Sequence, residues 1–430
     1  MSPQFELTRR SFLLSTAAVG GAAVLSSCVG TGSGASSTKS ASTTTLTLQN
    51  SIQDEAPKAA LANLVNAFGG PKTTMNSVAT EQFRAQLSTY LTSSTPPDVL
   101  SWYAGSVARD YAEQGLLLDV SDLWKGDGAC AGFSDSLKSL SSAKDGSQIF
   151  VPTSYYWWSI FYKKSSFAKW GVEVPATWDE FIGVCDTLAK KKVYPLANGV
   201  GSTPWMASGW FDYLDLRVNG AEYHRELLTG KHSFTDKKVV DVMEQYKRII
   251  PYFDPNQASY SAQEGATPMI QNKSAMYLIG AFCIPYFPKD QQDDLDFFSV
   301  PTIDPSIPSA EEAPTDGFFA AAKSRNPDGA KQLLSYLASA KSQEKYAKDS
   351  GSTSLPTSPD VDTSGFSPIV QKGIKLLAET KEVTQFFNRD SSDALQETAS
   401  TALTKFLADP SDITRTLKDW QAAAKTVFAS

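Results

Sequence analysis

Histidine and cysteine are scarce in this chain, which argues against several kinds of site. The 430 residues include two histidines, His224 and His232, and four cysteines with no Cys-x-x-Cys pair. Transition metals are bound mostly through these side chains, so the composition argues against such a site. Both histidines lie in a polar stretch and are expected to be solvated. Three cysteines beyond the amino-terminal segment cannot all pair, so the fold does not depend on a disulfide framework.

Signatures of nucleic-acid binding and of common enzymes are missing as well. The net charge is −7, and no cluster of basic residues could neutralise a run of phosphates, so nucleic acid is not an expected partner. There is no Gly-x-Ser-x-Gly and no His-Glu-x-x-His, and Gly69–Thr73 has the wrong spacing for a phosphate-binding loop. We therefore expect neither catalysis nor a cofactor, although paired carboxylates in an aromatic cleft would also suit a secreted glycoside hydrolase.

The amino-terminal segment has the organisation of an export signal. A twin-arginine stretch, Thr8–Leu14, precedes a weakly apolar stretch, residues 15–25. That stretch is shorter than the about 20 residues of a membrane-spanning helix. Leu25-Ser26-Ser27-Cys28 resembles a bacterial lipobox, which implies a signal peptide over residues 1–27 and a lipid on Cys28. Residues 28–44 are predicted to form a flexible tether. We expect the protein on the extracytoplasmic face of the cell membrane, exported by the twin-arginine route.

The length of the chain predicts two lobes, because 430 residues exceed what one hydrophobic core usually serves. Thr45–Asn50 alternates as a first strand, and a helix is predicted from about residue 55 to residue 68. Ligands of open α/β sheets collect beyond the carboxyl ends of the strands. This makes Gln49, Asn50 and Ser51 candidate ligand contacts, with an ordinary polar loop as the alternative.

Four consecutive aromatic residues, Tyr155–Trp158, are the strongest single feature of the sequence. With a strand period of two, Tyr155 and Trp157 fall on one face, and Tyr156 and Trp158 on the other. One pair can serve a core, while the other pair needs a partner that suits flat, amphipathic rings. A ligand surface is therefore predicted, and a fully buried aromatic cluster is the alternative.

Several segments resemble extracellular solute-binding proteins of the maltose-binding type. They follow one another in the order found in that family: Thr95–Gly105, Val151–Thr153, Phe161–Phe167, Gly171–Phe181, Ala266–Gly280 and Gln385–Asp390. This sequence departs from the family pattern at Lys163, where asparagine is usual, at Asn272, where glycine is usual, and at Phe282, where tryptophan is usual. The last change leaves the sugar subclass open.

The resemblance implies an α/β chain with the two-lobe, type II periplasmic-binding-protein fold, a multi-strand hinge and a cleft between the lobes. The first lobe is expected to comprise residues 45–153 and residues 282–340. The second of these ranges includes the strand Asp296–Pro301. The second lobe is expected to comprise residues 154–281 and the carboxyl-terminal helices of residues 341–430. Thr177 and Glu180 form a capping box that predicts a helix to about residue 191.

The expected ligand is a carbohydrate, because a sugar offers apolar C–H faces to rings and a rim of hydroxyls to polar side chains. The predicted rings are Trp102, Tyr103, Tyr155, Tyr156, Trp157, Trp205 and Phe282. The predicted polar contacts are Asn50, Glu81, Asp316, Arg389 and Asp390. For the last two, a plain surface salt bridge is the alternative. Trp210 and Phe211 fit either a core or a site.

The resemblance implies that the protein is the membrane-anchored, monomeric binding component of an ABC importer. It would close over a mono- or oligosaccharide and deliver it to permease subunits that the chain does not contain. A binding protein for a non-sugar solute, such as a polyamine or a metal chelate, is the main alternative.

Overall fold

Two β-sheets organise the part of the chain that the structure describes. The computed structural model describes residues 45–53, 55–351 and 353–429, with the side chain of Glu81 excepted. The predicted signal peptide, the lipidated Cys28 and the tether lie outside these residues. A six-stranded sheet has the order β11-β4-β10-β3-β1-β2, and a four-stranded sheet has the order β6-β7-β5-β8. We call the six-stranded sheet with the helices packed on it the first lobe, and the four-stranded sheet with its helices the second lobe.

The strands are β1 Thr45–Asn50, β2 Lys72–Ser77, β3 Val99–Tyr103, β4 Val151–Tyr155, β5 Trp158–Lys163, β6 Tyr194–Ala197, β7 Ser274–Gly280, β8 Leu295–Phe298, β9 Ala310–Glu312, β10 Thr315–Ala320, β11 Leu355–Pro356 and β12 Glu382–Thr384. The helices of the first half are α1 Glu55–Ala67, α2 Thr80–Thr92, α3 Ser106–Glu113, α4 Asp135–Leu140, α5 Lys164–Trp170, α6 Trp178–Lys190 and α7 Met206–Val218. Those that follow are α8 Gly220–Leu228, α9 Lys237–Ile249, α10 Thr267–Ile270, α11 Lys289–Gln292, α12 Pro327–Ala338, α13 Ala340–Ser350, α14 Pro368–Glu379, α15 Asp393–Ala408 and α16 Ile413–Phe428.

The first lobe brings the ends of several strands to one edge. Strands β2, β1 and β3 run parallel, and β10 runs antiparallel to β3, with Asp316 opposite Tyr103. The start of β10 therefore lies at the same edge as the carboxyl ends of β1 and β3. Leu46, Leu48 and Val99 are fully buried in a core beneath this sheet. Polar groups at that edge are thus held on a rigid base.

The second lobe has an almost continuously apolar centre. All six residues of β5 are buried, as expected for a strand covered on both faces. Helix α6 begins as predicted, because Thr177 and Glu180 form the complete capping box. His224, expected to be solvated, is fully buried on α8, where its Nδ1 lies 2.8 Å from an Asp215 oxygen, so that expectation was wrong. Trp210 and Phe211 are core residues.

In the part of the chain that the structure describes, the lobes are joined at the break between β4 and β5 and through a small sheet of β9 and β12. The chain crosses between β4 and β5 at Tyr156 and Trp157, and again through β9, which pairs in parallel with β12. Strand β8 was expected in the first lobe, but it pairs antiparallel with β5 in the second. The segment of β11 and α13 was expected in the second lobe, but β11 pairs with β4, and α13 packs on α1. These two placements correct the predicted boundaries.

Among the described residues, no helix combines the length and apolar character needed to cross a membrane. Cys130, Cys185 and Cys283 are all free and buried. Burial raises the pKa of Cys130 to about 12, so this thiol stays protonated.

Replacing Gly317 by alanine is expected to destabilise the first lobe by about 2 kcal/mol or more, because there is no room for a side chain. A Cβ at this position would lie 2.2 Å from the Val151 carbonyl oxygen, and both residues belong to central strands. The measurement is the midpoint of thermal unfolding. Gly365→Ala is the matched control, because a Cβ there meets nothing within 4 Å. Equal midpoints for the two variants would contradict the prediction.

Candidate functional site

A cavity of about 180 Å³ opens at the edge of the first lobe where the strand ends meet. It lies beyond the carboxyl ends of β1 and β3 and beside the start of β10, which is the usual position of ligands on open α/β sheets. Its polar lining residues are Ser51, Ser101, Tyr103, Thr153, Ser154, Asp316, Ser342, Gln343, Tyr346 and Ser354. Its apolar lining includes Ile52, Leu61, Leu64, Trp102, Phe318 and Leu337. The cavity therefore combines hydroxyl, amide and carboxylate groups with apolar walls.

Arg389 lies at the centre of the polar groups beside this cavity. Its Nη1 donates a hydrogen bond of 2.8 Å to Asp316 Oδ1 in an ion pair. Its guanidinium carbon lies 3.9 Å from the centre of the Tyr103 ring and 5.6 Å from that of Tyr156. Both distances are in the range of cation–π attraction. Arg389 thus joins the first lobe, the first crossing and the segment after β12, and it is not a plain surface salt bridge.

Burial and charge act in opposite directions on this ion pair. Burial raises the pKa of Asp316, and the neighbouring Arg389 opposes that rise. Burial alone would lower the pKa of Arg389, but Asp316 together with Tyr156 and Tyr103 outweighs it, and the pKa is raised. Burial also raises the pKa of Tyr155 to about 12 and that of Tyr156 further, so both phenols are neutral and can donate hydrogen bonds.

A stack of rings supports the site from the first lobe. Trp102 is 6% exposed and stacks on Phe83 and on Tyr103, with ring centres 5.4 and 4.6 Å away. Because two rings already cover Trp102, little of its face is left for a ligand. We assign it to supporting Tyr103, the half-buried ring that reaches Arg389.

A second group of rings, which we call the ring cluster, lies on the second lobe. It surrounds Trp158, which stacks on Phe386 at 4.8 Å and meets Trp205 and Phe282 edge-on. Tyr156 contacts Phe282 edge-on at 5.6 Å. Trp205, Phe282 and Tyr156 are only half-buried, so the cluster presents part of its surface outward. Its members are Tyr156, Trp158, Trp205, Phe282 and Phe386.

Some predicted site residues are used by the protein itself. Asn50 is fully buried, its Oδ1 accepts hydrogen bonds from Ile52 and Ser77, and its Nδ2 donates to Asn76. Asp390 is 1% exposed and accepts from the Gln385 backbone and the Ser106 hydroxyl. Neither side chain has the exposure that a ligand contact requires.

Among the predicted rings, Trp157 is fully buried against Phe297, and a Cβ added at Gly373 would lie 2.6 Å from it, so it is a core residue. Tyr155 is half-buried at the end of β4, opposite Thr315 and Leu355. Glu81 has its side chain outside the described part of the structure. The predicted contacts that the structure brings together are therefore Tyr103, Tyr156, Trp205, Phe282, Asp316 and Arg389.

Sequence reasoning missed several residues of this region. Trp158, on the predicted face of Tyr156, is not among the predicted contacts, although it is the centre of the ring cluster. Phe386 lies in the segment that also supplies Arg389, so its proximity could have been inferred. Thr153, Ser154 and Gln343 carry no pattern that distinguishes them from other polar residues. Among the described residues, no group of three or more His, Cys, Asp or Glu side chains could hold a metal ion.

Comparison with known proteins agrees with this architecture. A family model described as bacterial extracellular solute-binding protein matches residues 50–344. An uncharacterised ABC transporter extracellular-binding protein from Pyrococcus horikoshii, PH1214, is 25% identical over 327 residues, covering 71% of this chain and 70% of that protein. The α-glucosides-binding periplasmic protein AglE from Rhizobium meliloti is 24% identical over 336 residues, covering 74% and 72%.

A similar solved structure is that of the bacterial solute receptor AcbH, which is described as having an exclusive preference for β-D-galactopyranose. It superposes with a TM-score of 0.84 at 30% identity, covering 89% of this chain and 99% of that one. The two-lobe α/β architecture and the family model lead to the same assignment. The chain belongs to the bacterial extracellular solute-binding proteins.

Proposed function

We propose that this protein is the solute-binding component of an ABC importer and that it binds a carbohydrate between its two lobes. The observation that carries the proposal is the Asp316–Arg389 pair, which lies between a polar cavity in the first lobe and the ring cluster on the second. The pair offers both acceptors and charged donors to hydroxyl groups. Half-buried rings beside it suit the apolar faces of a sugar.

A short ligand fits the size of the cavity. Its volume of about 180 Å³ is smaller than the about 300–1,000 Å³ that is usual for drug-sized ligands. AcbH, the 30% identical receptor, is described as preferring β-D-galactopyranose. These two observations support a single pyranose ring, and D-galactose is the first candidate.

Binding would act by closing the lobes over the sugar. Groups from β3, β10, the first crossing and the segment after β12 all meet at Arg389. A sugar that contacts these groups and the ring cluster would bind the closed form better than an open one. It would therefore shift the population toward the closed form, which is the form that we propose docks on the permease.

A polyamine is a less suitable ligand for this site. A polycation needs several carboxylates that are not already neutralised. Asp316 is the carboxylate that lines the cavity, and Arg389 already pairs with it at 2.8 Å. A neutral polyol is compatible with such a pair because it donates to the carboxylate and accepts from the guanidinium.

We further propose that export and anchoring follow the amino-terminal signals. The twin-arginine stretch would direct export, and Cys28 would carry the lipid anchor. A flexible tether over residues 28–44 would have a typical reach of about 22 Å and would hold a monomeric body close to the membrane. We propose a first lobe of residues 45–155 with β10 to β11, and a second lobe that includes β8 and the helices α15 and α16.

The test is a thermal-shift screen of the protein without its amino-terminal 44 residues against D-galactose, α-glucosides, raffinose, chito-oligosaccharides and spermidine. At a concentration of about 100 times Kd, the true ligand should stabilise the folded protein by about 2.7 kcal/mol. We expect D-galactose to do so. A response to spermidine alone, with none to any sugar, would replace the carbohydrate proposal with the polyamine alternative.

Replacing Trp205 by alanine is expected to weaken sugar binding at least about tenfold, equal to about 1.4 kcal/mol. The reason is that the substitution removes a half-buried ring from the ring cluster. Titration calorimetry with the sugar found in the screen measures the change. Tyr194→Ala, which removes a ring that is 41% exposed on β6, is the matched control and should bind as the unaltered protein does. Equal affinities for the two variants would remove the ring cluster from the site.

A further inference from the structure

Two carboxyl groups meet in the interior, where a connection between the lobes packs on the second lobe. Asp212 lies on α7 and Glu312 ends β9, and neither is exposed to solvent. Their side chains are within hydrogen-bonding distance of each other. In the part of the chain that the structure describes, no N–H or O–H group donates to Asp212 Oδ1 or to either carboxyl oxygen of Glu312. Two ionised carboxylates would repel here, whereas a single proton between them satisfies both.

The groups around this acid pair do not supply a neutralising cation at hydrogen-bonding distance. His224 Nε2 is 3.8 Å from Asp212 Oδ1, while its Nδ1 is bonded to Asp215 at 2.8 Å. Arg217 is taken by Glu311, at 2.7 Å. The Tyr213 hydroxyl is hydrogen-bonded to Glu311 and to the Trp158 carbonyl. The titratable groups that act on the pair include Asp215 of α7, His224 of α8, Glu311 of β9, and Asp390 of the segment after β12. The phenols of Tyr156, Tyr213 and Tyr246 also interact with it.

These surroundings agree with one proton held between the two acids near neutral pH. Burial raises the pKa of Glu312 well above its ordinary range, and the charge of Asp212 raises it further. Burial also raises the pKa of Asp212, to about 6, while His224 opposes the rise. Burial would lower the pKa of His224, but its hydrogen bond to Asp215 and the nearby carboxylates outweigh it, and the pKa is raised.

Asp212 also holds the segment that supplies Arg389. Its Oδ2 accepts a hydrogen bond of 3.0 Å from the backbone N–H of Phe387. We call residues 385–390 the hinge segment. From the other side, the Gln385 side chain accepts from the backbone N–H of Thr315 in the first lobe, at 3.0 Å. Two residues after Phe387, Arg389 pairs with Asp316 beside the cavity. The protonation of the acid pair can therefore affect the position of Arg389 through the short backbone stretch from Phe387 to Arg389.

We propose that Asp212 and Glu312 share one proton and that this protonated pair fixes the hinge segment, which makes both acids positioning residues for Arg389. The inference that the proton is shared does not depend on which ligand binds, whereas the inferred effect on binding rests on the proposed carbohydrate site. Groups whose pKa is raised by folding stabilise the protein at low pH and lose that contribution as pH rises through the folded-state pKa. Asp212, His224 and Glu312 all act in this direction. The shared proton is the one lost at the higher pKa of the pair, so the hinge segment loosens at alkaline pH, where that proton leaves.

The first experiment follows hydrogen exchange of residues 385–390 by mass spectrometry from about pH 6 to about pH 9, corrected for the pH dependence of free amides. We expect the protection of this segment to fall at least about tenfold at the alkaline end. Glu312→Gln, which keeps a hydrogen-bond donor to Asp212 without an ionisable proton, should keep the segment protected throughout. Glu312→Ala, which removes the donor, should leave the segment unprotected even near neutral pH. Glu379→Gln, an exposed acid on α14, is the matched control and should behave as the unaltered protein.

Infrared spectroscopy detects the proton itself. The unaltered protein near neutral pH should show the carbonyl band of a protonated carboxyl group, and Glu312→Gln should lack it. A segment that loosens equally at alkaline pH in the unaltered protein and in Glu312→Gln would overturn the proposal, as would the absence of that band. Affinity for D-galactose should fall at least about tenfold with pH in step with the exchange, and Glu312→Gln should restore it. If the band and the exchange behave as expected but no sugar binds the unaltered protein, the carbohydrate proposal fails, and the shared proton stands.

Discussion

Replacing Arg389 by alanine is expected to lower the affinity for the sugar found in the screen about 100-fold, equal to about 2.7 kcal/mol, because hydrogen bonds to charged groups contribute about 1.5–3 kcal/mol each. The substitution also leaves Asp316 without its partner at 2.8 Å and removes the cation over the Tyr103 ring. An unpaired carboxylate in this half-buried position binds water instead, and that water must be displaced before a sugar can bind. Titration calorimetry with the unaltered protein and the variant measures the loss.

A double-mutant cycle separates the direct contact from the effect on Asp316. Asp316→Asn alone should weaken binding, and the two substitutions together should lose less than the sum of their separate losses, because each disables the same pair. Arg225→Ala is the control, since that arginine forms a half-exposed ion pair with Glu382 on β12, away from the cavity. Unchanged affinity in Arg389→Ala would show that the ligand does not use this pair.

The sequence predicted the architecture well where local patterns decide it. The first strand, Thr45–Asn50, has the predicted bounds, and the capping box of α6 forms as expected. The lobe to which a later strand belongs was harder to predict, because the sequence pattern shows that a strand forms but not which strand it pairs with. Strand β8 is an example, because its partner β5 lies more than a hundred residues earlier. Only tertiary packing decides that pairing.

The candidate site was predicted in part for a similar reason. The four aromatic residues were read with a period of two, but the strand breaks at Tyr156 and Trp157, so the alternation does not continue across the break. Tyr156 and Trp158 still meet in the ring cluster, where both contact Phe282, while Trp157, predicted as a ligand contact, enters the core. Asn50 was placed correctly at the end of β1, but its amide is used by neighbouring loops. The acid pair had no local signal at all, because its members come from distant segments.

Replacing Arg217 by alanine is expected to destabilise the protein by about 3–5 kcal/mol, because it leaves a buried carboxylate without its partner. Arg217 and Glu311 are 4% and 3% exposed and lie 2.7 Å apart. The same guanidinium donates to the carbonyl oxygens of Val300 and Ala310 on the path from β8 to β9. Removing the guanidinium therefore loosens the connection between the lobes. It also leaves the Glu311 carboxylate unpaired in a low-dielectric interior. Urea unfolding followed by circular dichroism measures the change.

The double variant Arg217→Met with Glu311→Gln distinguishes a charge effect from a packing effect. If the unpaired carboxylate causes most of the loss, neutralising it should recover at least about half of the lost stability, because well-packed neutral groups often replace buried ion pairs at little cost. Arg217→Ala within about 1 kcal/mol of the unaltered protein would mean that water or another group reaches Glu311. A double variant as unstable as Arg217→Ala would instead assign the loss to the two backbone carbonyls. The hinge would then depend on the hydrogen bonds to Val300 and Ala310 rather than on the ion pair.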